Sequence, residues 1–136
     1  MEFEEITHEI IGAAYKVFKT VGFGFLESVY KKAMIIELKK KGLKVEEEKP
    51  LKVYYEDQVV GDFFIDLFVQ DEIVVELKAI QSIAKEHEVQ LVNYLNGVRK
   101  EVGLLINFGQ SGVQVNRKYR NPAQEDENNK PLPWDT

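Results

Sequence analysis

The sequence predicts an α/β protein with one mixed central β-sheet flanked by α-helices, in the order ααβββαβ. Three observations lead there. Apolar residues recur every three or four positions through residues 3–41, and after Gly42 the period drops to two. A further helical stretch at 84–98 then separates the first strands from another strand-like run, the pattern of helices laid over a mixed sheet. At 136 residues, 44% hydrophobic and 30% charged, the chain suits one core and is short for two. A single domain over 1–120 is expected, followed by a flexible tail over 121–136.

The first helix is expected over 3–21, where Phe3, Ile6, Ile10, Ala13, Val17 and Val21 keep helical spacing before Gly22 and Gly24 end it. A second runs over about 26–41, with Leu26, Val29, Ala33 and Ile36 as its buried stripe. Gly42 follows as a left-handed cap, and Lys39, Lys40 and Lys41 suit the negative end of the helix dipole. Residues 43–55 read as a strand pair or as one long strand bent at Pro50. Residues 59–69 follow the Glu56-Asp57-Gln58 turn, and 73–79 form a short, nearly apolar third strand. Ala84, Leu91, Leu95 and Val98 restore helical spacing, with Gly97 near the helix end. Residues 102–108 are a buried strand, and 113–115 add a short edge strand. From 121 onward Asn, Gln, Pro and acids dominate, with Trp134 either idle or an anchor onto the body.

Composition excludes several classes. No cysteine is present, which removes disulfides, thiolate zinc sites, iron-sulfur clusters and cysteine nucleophiles. His8 and His87 are the only imidazoles, so metal chemistry is expected to use oxygen ligands and hard cations. Apolar runs are too short to span a membrane, and the acidic N-terminus has no signal-peptide character, so a soluble, cytoplasmic protein is expected. The net charge of −5 argues weakly against a non-specific nucleic-acid coat, but three of those charges fall in 121–136. Basic residues cluster at Lys31-Lys32, Lys39 to Lys41, Arg99-Lys100 and Arg117-Lys118, as solvated helix ends or as a phosphate-binding rim.

The informative stretch is 63–79. With Gln70-Asp71-Glu72 as the hairpin loop, Val69 faces Ile73 and Asp66 faces Glu76. Ile65, Leu67 and Val69 then share a wholly apolar face with Ile73, Val75 and Leu77. A one-residue slip would bury Asp66 in that face, so the pattern selects the pairing in which the two carboxylates meet. Like charges directly opposite one another are destabilising. Lys78, two residues beyond Glu76, offsets part of the repulsion, and a divalent cation such as Mg²⁺ or Mn²⁺ would offset more. The same residues also read as the outward side of a half-exposed strand, although Phe64, Phe68 and Val74 make that side far from open.

A carboxylate pair with a lysine on a hairpin, preceded by helices and followed by a helix and a strand, resembles the PD-(D/E)XK nuclease superfamily and its restriction-endonuclease-like core. More narrowly, the chain resembles the family named for its G-x-x-E-x-x-Y motif, here Gly24-Phe25-Leu26-Glu27-Ser28-Val29-Tyr30. Similar stretches are Ile11-Gly12-Ala13-Ala14, Val75-Glu76-Leu77-Lys78-Ala79, His87-Glu88-Val89-Gln90-Leu91 with Asn93-Tyr94-Leu95, and Gly103-Leu104-Leu105-Ile106-Asn107-Phe108, over about residues 4–118. Phe18 stands where relatives often carry His, Phe23 where they carry Pro, and Ile65 precedes Asp66 where the superfamily name has Pro.

The resemblance implies that Asp66, Glu76 and the backbone carbonyl of Leu77 ligate Mg²⁺ or Mn²⁺, while Lys78 polarises the attacking water and stabilises transition-state charge. Glu27 joins as an outer carboxylate, although the helix dipole alone favours a glutamate there by roughly 0.3 to 1 kcal/mol. Gln90 and Tyr94 share a helix face with His87 and are counted with the catalytic groups. Tyr30, His87, Lys31, Lys32, Arg99, Lys100, Arg117 and Lys118 are counted as substrate-binding. The function implied is metal-dependent hydrolysis of phosphodiester bonds in DNA or RNA, with a homodimer as the simplest way to cut both strands. The alternative is a catalytically inactive module of the same fold that binds nucleic acid or a protein partner.

Overall fold

In the computed structural model, which describes residues 1–120, five strands form one sheet in the order β1-β2-β3-β4-β5. The elements are α1 (Phe3–Val21), α2 (Glu27–Lys40), β1 (Val45–Tyr55), β2 (Gln58–Val69), β3 (Ile73–Lys78), α3 (Lys85–Val98), β4 (Val102–Gly109) and β5 (Gly112–Tyr119). Neighbouring strands are antiparallel except β3 and β4, which run parallel. A parallel pair needs a long crossover, and α3 supplies it. The sheet is therefore mixed, as expected. The expected tail and Trp134 lie outside the described residues.

Helices cover both sheet faces. On one, Ile6, Ile10, Ala13, Ala14 and Val17 of α1 and Tyr30, Met34 and Leu38 of α2 pack on Leu67, Val69, Ile73, Val75, Leu77, Leu104, Ile106 and Phe108. On the other, Leu91, Tyr94 and Leu95 of α3 pack on Leu51, Ile65, Phe68, Val74 and Leu105. Two glycines let α3 sit this close: a Cβ on Gly97 would lie 2.9 Å from the Leu51 side chain, and one on Gly103 would lie 2.8 Å from that of Leu91.

Two expectations change and one open choice is settled. The buried stripe of α2 is Tyr30, Met34 and Leu38, whereas Leu26 and Ile36 of the expected stripe are 77% and 61% exposed. Tyr30 can be buried because both hydrogen-bonding needs of its hydroxyl are met and its ring stacks on Phe108. Of the two readings left open for residues 43–55, the single long strand is the one formed, over Val45–Tyr55. Pro50 is tolerated there because β1 is an edge strand, so its missing N–H can face away from the sheet. The last strand is full length, pairing with β4 from Gly109↔Gly112 to Val102↔Tyr119. Its polar residues hid it because it too lies at an edge.

The β1-β2 hairpin outruns its neighbour. β3 pairs with β2 only over Leu67, Phe68 and Val69, so the rest of the hairpin projects as an arm carrying exposed Tyr55, Val59, Val60 and Phe64. Among the described residues no helix is long and apolar enough to cross a membrane.

Candidate active site

β3 lies in the middle of the sheet and is buried from Ile73 to Leu77. The predicted hairpin register holds for Val69↔Ile73, Phe68↔Val74 and Leu67↔Val75. The ladder then stops, and the Leu77 N–H donates to Oδ2 of Asp66 at 2.8 Å. Strict alternation also breaks at Asp66. Ile65 packs on the α3 side with Phe68, three residues on, and not with Leu67 and Val69 as the alternating pattern predicts.

The cause lies partly on β1. Glu48 adopts the left-handed conformation, φ 53°, between two ordinary pairs, Glu47↔Leu67 and Lys49↔Ile65. Such backbone costs of order 1–3 kcal/mol for a non-glycine residue. Opposite this irregularity Asp66 leaves the regular ladder and comes up against Glu76 and the Leu77 amide.

Glu76 is only 5% exposed. Burial, then the adjoining Asp66 carboxyl, push its pKa up to about 10, and Lys78 counteracts only part of this. Its Oε1 is buried without a hydrogen-bond partner among the described residues. An orphaned, oxygen-only donor beside a second carboxylate fits a hard divalent cation. Among the described residues no group of three or more His, Asp or Glu is arranged to hold a metal, so the side chains here offer the Asp66 and Glu76 carboxylates and not a full cage. A divalent cation that keeps several of its waters suits such a partial donor set.

Glu27 enters from the start of α2. Burial and then the Asp66 charge raise the pKa of its carboxyl, while Lys78 and Lys31 lower it and Glu48 raises it. That set of influences places α2, β1, β2 and β3 around one charged cluster. Lys31, one turn after Glu27, is paired with Glu48. Alternation alone gave no reason to single out Glu48 on β1, because only its backbone conformation and position opposite Asp66 bring it to the cluster.

Tyr30 explains the spacing of the motif. Its hydroxyl donates to the Gly22 carbonyl at 2.6 Å and accepts from the Phe25 N–H at 3.3 Å, and its ring stacks on Phe108 at 4.4 Å. The loop entering α2 is thereby stapled, and with it the position of Glu27. Because Tyr30 is 0% exposed, the expectation that it contacts substrate is corrected to a positioning role.

On α3, Tyr94 and Gln90 line one groove with Phe63 of β2. Burial, then Glu76 and Asp66, push the Tyr94 pKa up to about 12, so at neutral pH it is an uncharged phenol. His87 turns the other way in function: its Nδ1 accepts from the Ala84 N–H at 2.9 Å, and its backbone N–H donates to the Ala84 carbonyl at 3.0 Å. It caps the helix.

Asn107, absent from the predicted site residues, follows Lys78 in importance for the loop beyond it. The two are ladder partners, and the fully buried Asn107 amide accepts from the Ile80 N–H and donates to the Ile80 carbonyl, each at 2.9 Å. It extends the β3-β4 ladder one step past Lys78. A lone Asn within the apolar run 104–108 was the available signal, since buried polar groups need partners.

The expected basic rim does not assemble around the carboxylates. Lys32 is exposed on α2, and Arg99 is the left-handed cap at the far end of α3. Lys100 acts on Asp71, at the hairpin end away from Lys78. Arg117 bonds Glu4 at 2.7 Å and Thr7 at 3.0 Å of α1, and Lys118 pairs with Glu88 at 2.7 Å. Of the rim residues, Lys31 is the one brought to the cluster.

A family model described as the PD-(D/E)XK nuclease superfamily matches residues 4–119. The crystal structure of SSO0001 is similar at TM-score 0.56 and 18% identity, covering 68% of this chain and 50% of that one, so the chain spans about half its length and the likeness is one of fold. No curated protein matches. With the family model spanning nearly all the described residues, and with a mixed sheet whose central hairpin carries Asp66, Glu76 and Lys78, the chain belongs to the PD-(D/E)XK nuclease superfamily.

Proposed function

We propose that the protein is a metal-dependent nuclease that hydrolyses phosphodiester bonds in DNA or RNA, and that it falls in the G-x-x-E-x-x-Y branch of its superfamily. The observation that carries this reading is the buried Glu76 carboxyl, with Oε1 unpartnered, set against Asp66 on the central strand. A protein gains no stability from that pairing. Nucleases of this superfamily generally use divalent metals. Asp66, Glu76 and the Leu77 carbonyl would hold Mg²⁺ or Mn²⁺, which supplies charge neutralisation and activation of water.

Lys78 orients the attacking water and stabilises negative charge on the phosphoryl oxygens as water adds to phosphorus. Glu27, with its raised pKa, is a better proton acceptor than an ordinary carboxylate and takes the water's proton. The P–O bond to the departing strand breaks and the departing oxygen takes a proton from solvent water, leaving a phosphate end and a hydroxyl end. Tyr94 and Gln90 donate hydrogen bonds beside the carboxylates, and Lys31 supplies positive charge to the incoming phosphate. A cytoplasmic location and a homodimer complete the reading, and sedimentation decides the dimer.

The test is cleavage of plasmid, single-stranded and branched substrates with Mg²⁺ or Mn²⁺. Wild type is expected to cut, and Asp66→Ala and Lys78→Ala to lose at least about a hundredfold in rate. Equal cleavage by the variants would sink the site assignment.

A further inference from the structure

Between the projecting β1-β2 arm and α3 lies a groove of about 420 Å³, lined by Leu51, Val53, Phe63, Gln90, Asn93 and Tyr94. Its volume is that of a small-ligand cleft, for which roughly 300–1,000 Å³ is usual. The Phe63 and Tyr94 rings meet there at 5.8 Å and 50°, giving the groove an aromatic wall. Tyr94 also belongs to the site, since Glu76 and Asp66 act on its hydroxyl, so the groove adjoins the carboxylate pair.

We infer that this groove receives one unpaired nucleobase of the substrate strand, next to the phosphate to be cut. The inference rests on the nuclease reading and names its substrate class: single strands, overhangs and flaps in preference to intact duplex. Among the described residues no lysine or arginine lines the groove, and Glu86 does, so a phosphate backbone is repelled while an uncharged base is not. Phe63 and Tyr94 offer π-faces, and aromatic stacking holds any base. The Gln90 and Asn93 carboxamides each present a donor and an acceptor, the equipment for reading a base edge. Within a duplex both faces of a base are covered and its pairing edge is occupied, so only a base out of the stack can use such a groove. Phosphate neutralisation is then left to Lys31 and Lys78, at the carboxylates.

The test uses the full chain in EDTA, where metal-dependent cleavage is off, with single-stranded DNA and RNA oligonucleotides carrying 2-aminopurine and the matching blunt duplexes. Wild type is expected to quench the probe in single strands and to bind them more tightly than duplex. Phe63→Ala removes stacking and Val89→Trp, on an exposed α3 position, fills the groove. Each is expected to weaken single-strand binding by about 5- to 100-fold with circular dichroism unchanged. Absence of quenching, or wild-type affinity in both variants, overturns the inference. Cleavage with Mg²⁺ or Mn²⁺ judges the nuclease reading separately. Cutting without a groove effect defeats the base site alone, and quenching without any cutting defeats the nuclease reading while leaving the base site in place.

Discussion

The Leu77 N–H donates to Oδ2 of Asp66 at 2.8 Å, where the ladder between β2 and β3 has already ended. One side chain therefore does two things: it satisfies a backbone donor of the central strand and presents a carboxylate to Glu76. The two roles separate on substitution. Asp66→Asn retains an acceptor for Leu77, whereas Asp66→Ala leaves a buried N–H unpaired at about 1–3 kcal/mol. Urea unfolding is expected to rank the alanine variant below the asparagine variant by about that amount, with metal-induced stabilisation lost in both. Equal stability would show that the hydrogen bond contributes nothing.

Glu76→Gln is expected to stabilise the metal-free protein at neutral pH by about 1–3 kcal/mol, because an amide needs no added proton to stay neutral where burial and Asp66 disfavour the carboxylate. The pH dependence follows from the raised pKa. Below the ordinary value of 4.5 the carboxyl is protonated folded or unfolded, so it adds no slope there. Between there and about 10 the unfolded chain ionises while the folded chain keeps its proton, so the folded state binds more protons and its stability falls as pH rises. Unfolding midpoints measured across that window should decline less steeply in the glutamine variant. Parallel curves would mean that Glu76 is ionised in the folded protein.

Tyr30→Phe keeps the stack on Phe108 but frees the Gly22 carbonyl and the Phe25 N–H. A stability loss of about 1–2 kcal/mol is expected, with a roughly tenfold fall in cleavage as Glu27 loses its fixed position. In a double-variant cycle with Glu27→Gln the two activity losses should not add, since both act through the same carboxylate. Additive losses would separate Tyr30 from Glu27.

Asn107→Ala removes both partners of the Ile80 peptide group. About 2–3 kcal/mol of stability should be lost, and amide exchange at Ile80 should speed up, while exchange in β5 beyond Gln114 changes little. Unchanged exchange at Ile80 would mean that the loop after Lys78 is held by other contacts.

Much of this protein was legible in its residue order. Helical spacing located α1 to within its observed ends, and the alternating run around Gln70-Asp71-Glu72 set the hairpin register, because any slip would have buried Asp66. That register, extended, brings Asp66 toward Glu76, but the ladder stops at Leu67↔Val75 and Asp66 reaches Glu76 by leaving the regular pairing. Local pattern could not choose between two apolar stripes on α2. The choice fell to Tyr30, Met34 and Leu38 because Gly22, Phe25 and Phe108 supply a tyrosine with everything burial demands. Nor could it foresee that Ile65 crosses to the α3 side, which depends on the left-handed Glu48 on a neighbouring strand. The basic residues divide the same way: Lys31 reaches the carboxylates by lying one turn from Glu27, while Arg117 and Lys118 are held by Glu4 and Glu88 from distant elements. Sequence by itself settled what depends on neighbours along the chain, namely helix periods, turn positions and the register that keeps charge out of the core. Folding in three dimensions settled which equivalent face is buried and which charges meet, because burial and ion pairing are set by atoms from remote segments that no local period records.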